Sequence, residues 1–237
     1  MRIWLFAIVL VLWGNLLHPL IGSTAILPGG SWPFVVAGAA LVVVSLFAAR
    51  ALGLDAATLG LRPAGAFRGF LIGAFAGAFV ATSAVAIMRG IVPALIGQPV
   101  IYEPLSRVAA GDLSTHIAFF LPLGAVIPEE FAFRGTLLGG LLARYGVRTA
   151  VLASAIVFAL WHGTVAFFTV MNTTMPVVLI VPAIAAAFVV LFVGGVIMAG
   201  LRVTTGSLAT TVAAHWAFNA VILLGLSTSW ALATPAM

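Results

Sequence analysis

Two adjacent carboxylates, Glu129 and Glu130, lie in a stretch of the chain that is otherwise strongly apolar. An unpartnered carboxylate is costly to bury, so such a group finds a partner, changes its protonation or serves a function. Arg134 follows Glu130 by four residues, and a helix would place the two on one face as an ion pair. A purely structural ion pair leaves Glu129 unexplained, because consecutive residues point about 100° apart around a helix.

Two later segments carry histidines in similarly apolar surroundings. Residues 158–162 read FALWH and residues 215–219 read HWAFN. The second spacing puts His215 and Asn219 on one helix face. A single histidine such as His162 in an apolar helix is more often a hydrogen-bonding group between helices than a catalyst. The chain has no cysteine, which excludes a thiolate nucleophile and a cysteine-ligated metal.

The composition places these residues in a membrane. Of 237 residues, 64% are hydrophobic and 6% are charged, whereas soluble domains carry roughly a quarter charged residues. We expect an all-α fold, a polytopic membrane helix bundle of about seven transmembrane helices, because seven apolar runs approach the roughly 20 residues that span a bilayer. The predicted spans are 3–21, 32–49, 69–88, 115–143, 149–170, 176–201 and 207–226.

The net charge of +5 comes from ten arginines and no lysine. We interpret it as a signal of membrane orientation and of anionic lipid headgroups as partners, with no nucleic acid. One side of the predicted spans holds seven of the arginines (Arg2, Arg50, Arg62, Arg68, Arg144, Arg148 and Arg202) and the other side holds Arg89 and Arg107. The richer side is expected to be cytoplasmic, and the N-terminus with it.

The first span admits two interpretations. Arg2, the apolar run after it and the small residues at 23–25 also fit a signal peptide. The run is long, however, and is interrupted by Asn15, His18 and Pro19, so we expect a retained helix.

The polar residues are predicted to lie at a similar depth in the membrane. Glu129 lies 15 residues before Arg144, His162 lies 14 after Arg148, and His215 lies 13 residues after another arginine, at position 202. At 1.5 Å per residue, each would sit about 20 Å from its interfacial arginine. Three separate helices would then deliver their polar groups to one layer of the membrane. We expect them to form one site.

The ordered set of motifs (EExxxR at 129–134, FxxxH at 158–162 and HxxxN at 215–219) resembles the CPBP family. This family comprises the CAAX-processing and bacteriocin-processing intramembrane endopeptidases, also called the Abi family. The resemblance covers about residues 115–226, the expected CPBP-like catalytic core of a single integral membrane domain of residues 1–237. Residues 1–113 are expected to supply N-terminal transmembrane helices and loops. We expect the inner membrane of a bacterial or archaeal cell as the location.

The resemblance implies a glutamate-dependent protease that cleaves a membrane-associated peptide or protein. Hydrolysis of a peptide bond needs an activated water and a stabiliser for the oxyanion. Glu129 is the expected general base, helped by His162, as the family pattern also suggests. The family assigns oxyanion donation to the positions of His215 and Asn219.

Glu130, kept ionised by Arg134, would orient the site. We expect no cofactor. The alternative is a bound Zn²⁺ on Glu129, His162 and His215, since one glutamate and two histidines match hydrolytic zinc sites. The HExxH pattern of zincins is absent from the sequence.

Two interpretations outside enzymology stay open. The polar cluster could specify helix packing in a membrane scaffold or immunity protein, as in some relatives of the family. It could also belong to a proton-coupled carrier, because buried glutamate and histidine residues form proton relays. A carrier would more often show internal repeats, and we find none.

The arginine distribution predicts a cytoplasmic N-terminus and an external C-terminus. A reporter fused at the C-terminus that works only outside the cytoplasm should be active, and one that works only in the cytoplasm should be silent. The reverse result would contradict the predicted pairing of a cytoplasmic N-terminus with an odd number of spans.

Overall fold

The computed structural model describes residues 1–21 and 31–233 of the chain, and within those ranges it contains helices and no strand. The prediction of an all-α fold is confirmed. The helices are α1 (Arg2–Ile21), α2 (Ser31–Leu52), α3 (Ala66–Ile96), α4 (Ala110–Leu142), α5 (Val147–Trp161), α6 (Gly163–Met171), α7 (Val177–Thr205) and α8 (Leu208–Ala233).

The predicted count of seven spans is not confirmed. Within the described residues, five helices are long and apolar enough to cross a membrane, or six if α5 and α6 together form one bent span. The described apolar part of α1, Arg2–Leu16, is shorter than the others. The predicted fifth span, 149–170, is not one continuous helix, because α5 and α6 meet at a 47° bend.

Helix α1 belongs to the core of the bundle. Its residues Ile3, Phe6 and Leu10 are buried in one apolar cluster with Phe133 of α4 and Trp161 of α5. The described part of α1 is therefore packed into the bundle. Residues 23–25, the small residues of the signal-peptide alternative, lie outside the described part of the chain.

Helix α2 is held directly against α4, the helix that carries the acidic pair. A Cβ on Gly38 would lie 2.6 Å from the Gly124 carbonyl oxygen, so the two backbones approach too closely for a side chain at this point. About three turns further along α4, Thr136 Oγ1 donates a hydrogen bond to the Ser45 carbonyl oxygen over 3.3 Å. Small residues allow this kind of close helix approach in membranes.

Helix α4 is unusual in its winding. Its 33 residues are continuous, but α-helical turns alternate with π-helical turns at residues 116–120, 122–126 and 131–137. Such wide turns are rare and often occur at functional sites. The indole of Trp216 in α8 donates to the Ile117 carbonyl oxygen of the first wide turn over 2.9 Å, which ties α8 to α4.

The loop between α2 and α3 packs beneath the acidic turn of α4. Its Leu59 is buried in an apolar cluster with Phe131. Asp55 accepts hydrogen bonds from the hydroxyl and backbone amide of Thr58, at 2.6 and 2.7 Å, and these bonds hold the pKa of the Asp55 carboxyl below its usual value. Arg202 at the end of α7 donates to the Thr58 carbonyl oxygen at 2.8 Å. Thr58 therefore joins the turn both to Asp55 within the loop and to Arg202 of α7.

At the opposite end of the bundle, two connections are joined by their backbones. Thr174, after α6, exchanges hydrogen bonds with Ile101, after α3: its amide donates to the Ile101 carbonyl, and its hydroxyl accepts from the Ile101 amide, both at 3.0 Å. Leu105 of the same connection is buried with Leu113, Ile117 and Ala220. This end is covered by ordered chain.

Helices α3 and α8 form the tightest pair, because α3 presents glycines four residues apart. Added Cβ atoms on Gly73 and Gly77 would run into the carbonyl oxygens of Thr210 and Ala214. The contact continues at Gly69, where a Cβ would lie 2.5 Å from the Thr210 hydroxyl. The backbone of α8 is thus held at fixed height one residue before His215.

Replacing Gly73 with alanine should separate α3 from α8. Overpacking of this kind costs about 1–3 kcal/mol, so the thermal midpoint in detergent, followed by tryptophan fluorescence, should fall by several degrees. Gly194→Ala in α7 is the matched control, because no atom lies within 4 Å of the added Cβ. Equal midpoints for the two variants would contradict the described packing.

Candidate active site

Glu130 and Arg134 form an ion pair that is fully removed from solvent. Arg134 Nη1 donates to Glu130 Oε1 over 3.1 Å, and the side chains are 1% and 0% exposed. The predicted i,i+4 pair is therefore present. A buried charge needs a partner with good geometry, since water is not there to solvate it.

An aromatic wall lies against the guanidinium of Arg134. The Arg134 guanidinium carbon lies 4.1 Å from the centre of the Phe158 ring. Phe133 packs edge-on against both Phe158 and Trp161, with ring centres 5.2 and 5.4 Å apart. A cation over an aromatic face is attracted by the ring quadrupole, most strongly in dry surroundings. Within the FALWH segment, Phe158 therefore covers the buried guanidinium, and Trp161 packs against the same aromatic group through Phe133.

Glu130 also holds His215, a contact that sequence reasoning did not predict. His215 Nδ1 lies 2.9 Å from Glu130 Oε1, the same oxygen that accepts from Arg134. A carboxylate accepts hydrogen bonds, so the proton of this bond sits on Nδ1. The ring is fixed, and its Nε2 is directed away from Glu130.

Glu129 points to the other histidine. His162 Nε2 lies 3.7 Å from Glu129 Oε2, and both side chains are 14% exposed, in contrast to Glu130. His162 Nδ1 lies 2.9 Å from the Phe158 carbonyl oxygen, which can only accept, so this nitrogen is the donor. In the neutral ring Nε2 is then an acceptor that faces the carboxylate. Glu129 and Glu130 thus diverge, as expected of neighbours on a helix.

The predicted residues converge on one turn of α4. Glu129 meets His162 at the junction of α5 and α6, and Glu130 meets His215 of α8. Asn219, half-buried and one turn beyond His215, takes no part in the hydrogen bonds that join the two glutamates to the histidines. The prediction of a single layer holds for the glutamates and the histidines. The catalytic roles assigned to these residues stay predictions.

The zinc alternative requires Glu129, His162 and His215 to lie together around one ion. In the described ranges of the chain, no group of three or more histidine, aspartate or glutamate side chains is arranged to hold a metal ion. His215 contacts the Glu130 carboxylate, whereas the zinc hypothesis needs it beside Glu129.

Sequence reasoning missed the residue that supports His162. Asn15 of α1 donates to the Leu160 carbonyl oxygen over 2.8 Å and accepts from the Thr164 amide over 2.9 Å. The depth argument could have found it, because Asn15 lies 13 residues after Arg2, the same separation that placed His215.

Comparison with known proteins agrees with the resemblance seen in the motifs. Residues 112–221 match the family model described as type II CAAX prenyl endopeptidase, Rce1-like. The predicted resemblance to the CPBP family is confirmed. The matched segment contains the EExxxR, FxxxH and HxxxN motifs and begins after α1, α2 and α3. No curated protein and no solved structure matches the chain.

The buried pair should be essential to stability. Glu130→Ala strands the Arg134 charge, and Arg134→Ala strands Glu130, each at a cost of about 3–5 kcal/mol. Both variants should express poorly or melt at a much lower temperature than the wild type. The measurements are the detergent-solubilised yield and the thermal midpoint. Glu103→Ala, which removes an exposed acid, is the control. Wild-type stability in both variants would instead assign the pair to catalysis alone.

Proposed function

We propose that this integral membrane protein is an endopeptidase that hydrolyses a peptide bond in a membrane-associated protein or peptide, with water activated by Glu129 and His162. The family match supports a protease. The observation that carries the proposal is the 3.7 Å separation of Glu129 Oε2 and His162 Nε2. It joins the one partly accessible carboxylate of the acidic pair to a histidine nitrogen that can accept a proton.

Two acceptors at this distance can share one water. The water donates one hydrogen bond to the Glu129 carboxylate and one to His162 Nε2, which leaves a lone pair of its oxygen free for attack. As the water oxygen bonds to the peptide carbonyl carbon, Glu129 takes a proton from the water. The C=O π electrons move onto the carbonyl oxygen, which becomes the oxyanion. Glu129 then returns the proton to the amine nitrogen as the C–N bond breaks.

Oxyanion stabilisation falls to His215 and Asn219 in this scheme. The N–H at Nδ1 of His215 already donates its hydrogen bond to Glu130. The ring can therefore donate to the oxyanion only when Nε2 also carries a proton. With Glu129 and Glu130 ionised, Arg134 and a protonated His215 make the cluster electrically neutral. Neutrality matters here, because net charge in an apolar interior is expensive. The amide of Asn219 supplies the second donor.

Glu130 and Arg134 orient the donor histidine and do not touch the substrate in this proposal. Their complete burial supports that assignment, whereas Glu129, His162 and His215 are 12–14% exposed. The exposed fractions separate the groups that a substrate can reach from the groups that support them.

The family description, which names a CAAX prenyl endopeptidase, supports the choice of a first substrate class to test. We propose a membrane-associated chain whose cleavage site enters the bundle at the depth of Glu129. A peptide ending in a farnesylated cysteine followed by two aliphatic residues and one further residue is the first reporter. A comparison of membrane-protein termini between cells with the wild type and cells with Glu129→Gln is the second source of reporters.

Glu129→Gln should abolish cleavage in both assays while leaving the protein folded, because glutamine keeps the shape but cannot accept the proton. His162→Ala should be nearly as severe. The double variant should be scarcely worse than either single one, since groups that act on the same water are strongly non-additive. Asn219→Ala should lose about a hundredfold to a thousandfold in kcat.

Asn172→Ala serves as the control, because its side chain donates only to the Phe168 carbonyl one turn away in α6. Cleavage that persists in Glu129→Gln would refute the proposed mechanism. The absence of any Glu129-dependent product from both assays would refute the proposed function and favour a scaffold. Cleavage lost on chelation and restored by Zn²⁺ would refute only the metal-free mechanism.

A further inference from the structure

The junction of α5 and α6 is a broken helix inside the bundle. In an unbroken helix the Thr164 amide would donate to the Leu160 carbonyl oxygen, four residues earlier. Instead, Asn15 of α1 occupies this bond: its Nδ2 donates to the Leu160 oxygen over 2.8 Å and its Oδ1 accepts from the Thr164 amide over 2.9 Å. A side chain inserted into the helix ladder is a recognised cause of sharp kinks.

The inserted carboxamide is fully used. Its second N–H donates to the Val11 carbonyl oxygen of its own helix over 2.8 Å, and its oxygen also accepts from the Thr164 hydroxyl over 2.9 Å. An asparagine side chain has two donor hydrogens and two acceptor lone pairs. Asn15 therefore satisfies both backbone groups that the break exposes, in a place where lipid offers them nothing.

Two glycines make room for this contact. A Cβ on Gly163 would lie 2.7 Å from Asn15 Oδ1. A Cβ on Gly14 would run into the Trp161 carbonyl oxygen, the residue at the end of α5. Helix α1 thus approaches the junction closely from outside the segment that matches the family model.

His162 lies at the centre of the interrupted bond, between Leu160 and Thr164, with backbone angles φ −86° and ψ 10° that belong to neither flanking helix. We propose that Asn15 is a positioning residue, which holds the break open and thereby directs His162 Nε2 at Glu129. Closing the ladder would carry the ring round with the straightened helix. The inference rests on the proposed role of His162, and Asn15 itself touches no substrate.

Asn15→Leu tests the inference without adding a charge, since leucine has a similar size and suits a membrane helix. It removes every hydrogen bond of the Asn15 side chain, and leaves only the bond from the Thr164 hydroxyl to the Asn15 backbone carbonyl, at 3.1 Å. With the reporter substrate, kcat should fall about a hundredfold, the usual effect of a displacement of about 1 Å, with KM little changed. In a His162→Ala background the same substitution should have no further effect on kcat, because residues that act through one group are non-additive.

A second measurement does not depend on activity. In protein labelled with ¹⁵N-histidine, the ring signals of His162 are those that disappear in His162→Ala. Asn15→Leu should shift them and leave the His215 signals in place. Asn172→Leu is the matched control, because it removes an asparagine-to-carbonyl bond at the far end of α6.

Unshifted His162 signals, or a loss in kcat that is additive with His162→Ala, would overturn the positioning role and leave Asn15 as a packing residue. The proposed function fails separately, if His162→Ala itself retains full cleavage. In that case the ¹⁵N spectra still decide whether Asn15 fixes the ring.

Discussion

The structure depends on burying one carboxylate, Glu130, in the middle of apolar helices. Such a charge is tolerated only when its partners are in place, and here a single oxygen accepts from Arg134 one turn along α4 and from His215 on α8. The guanidinium is in turn covered by the Phe158 ring of α5. The ion pair itself lies within α4, and the contacts of Glu130 with His215 and of Arg134 with Phe158 fix α8 and α5 at the same height as this pair.

The three N-terminal helices carry none of the family motifs, yet each supports one part of the site. Asn15 of α1 shapes the junction that bears His162. Gly38 of α2 lets its helix lie against α4, which bears both glutamates, and Gly73 of α3 does the same for α8 and His215. The segment that matches the family model carries the candidate catalytic residues, and the helices before it pack against the elements that hold them.

The sequence was enough to predict an all-α membrane protein, the ion pair of Glu130 with Arg134 and the convergence of His162 and His215 on the acidic turn. These follow from composition, helical spacing and distance to the interfacial arginines, all of which are properties of single helices. The bond from His215 to Glu130 and the insertion of Asn15 could not be predicted in this way. Both depend on which helices become neighbours and how they are rotated, and the rotation is altered by the π-helical turns of α4.

The side-by-side placement of Glu129 and Glu130 has a consequence for how this chain can vary. Each points to a different helix, so the length of α4 between its two ends is not free to change. One residue inserted or deleted just before the pair would rotate both carboxylates by about 100° and leave each facing the wrong neighbour. Length variation among related chains should therefore collect in the connections at 53–65 and 97–109, whereas α4 should keep a fixed residue count from its first wide turn to Arg134.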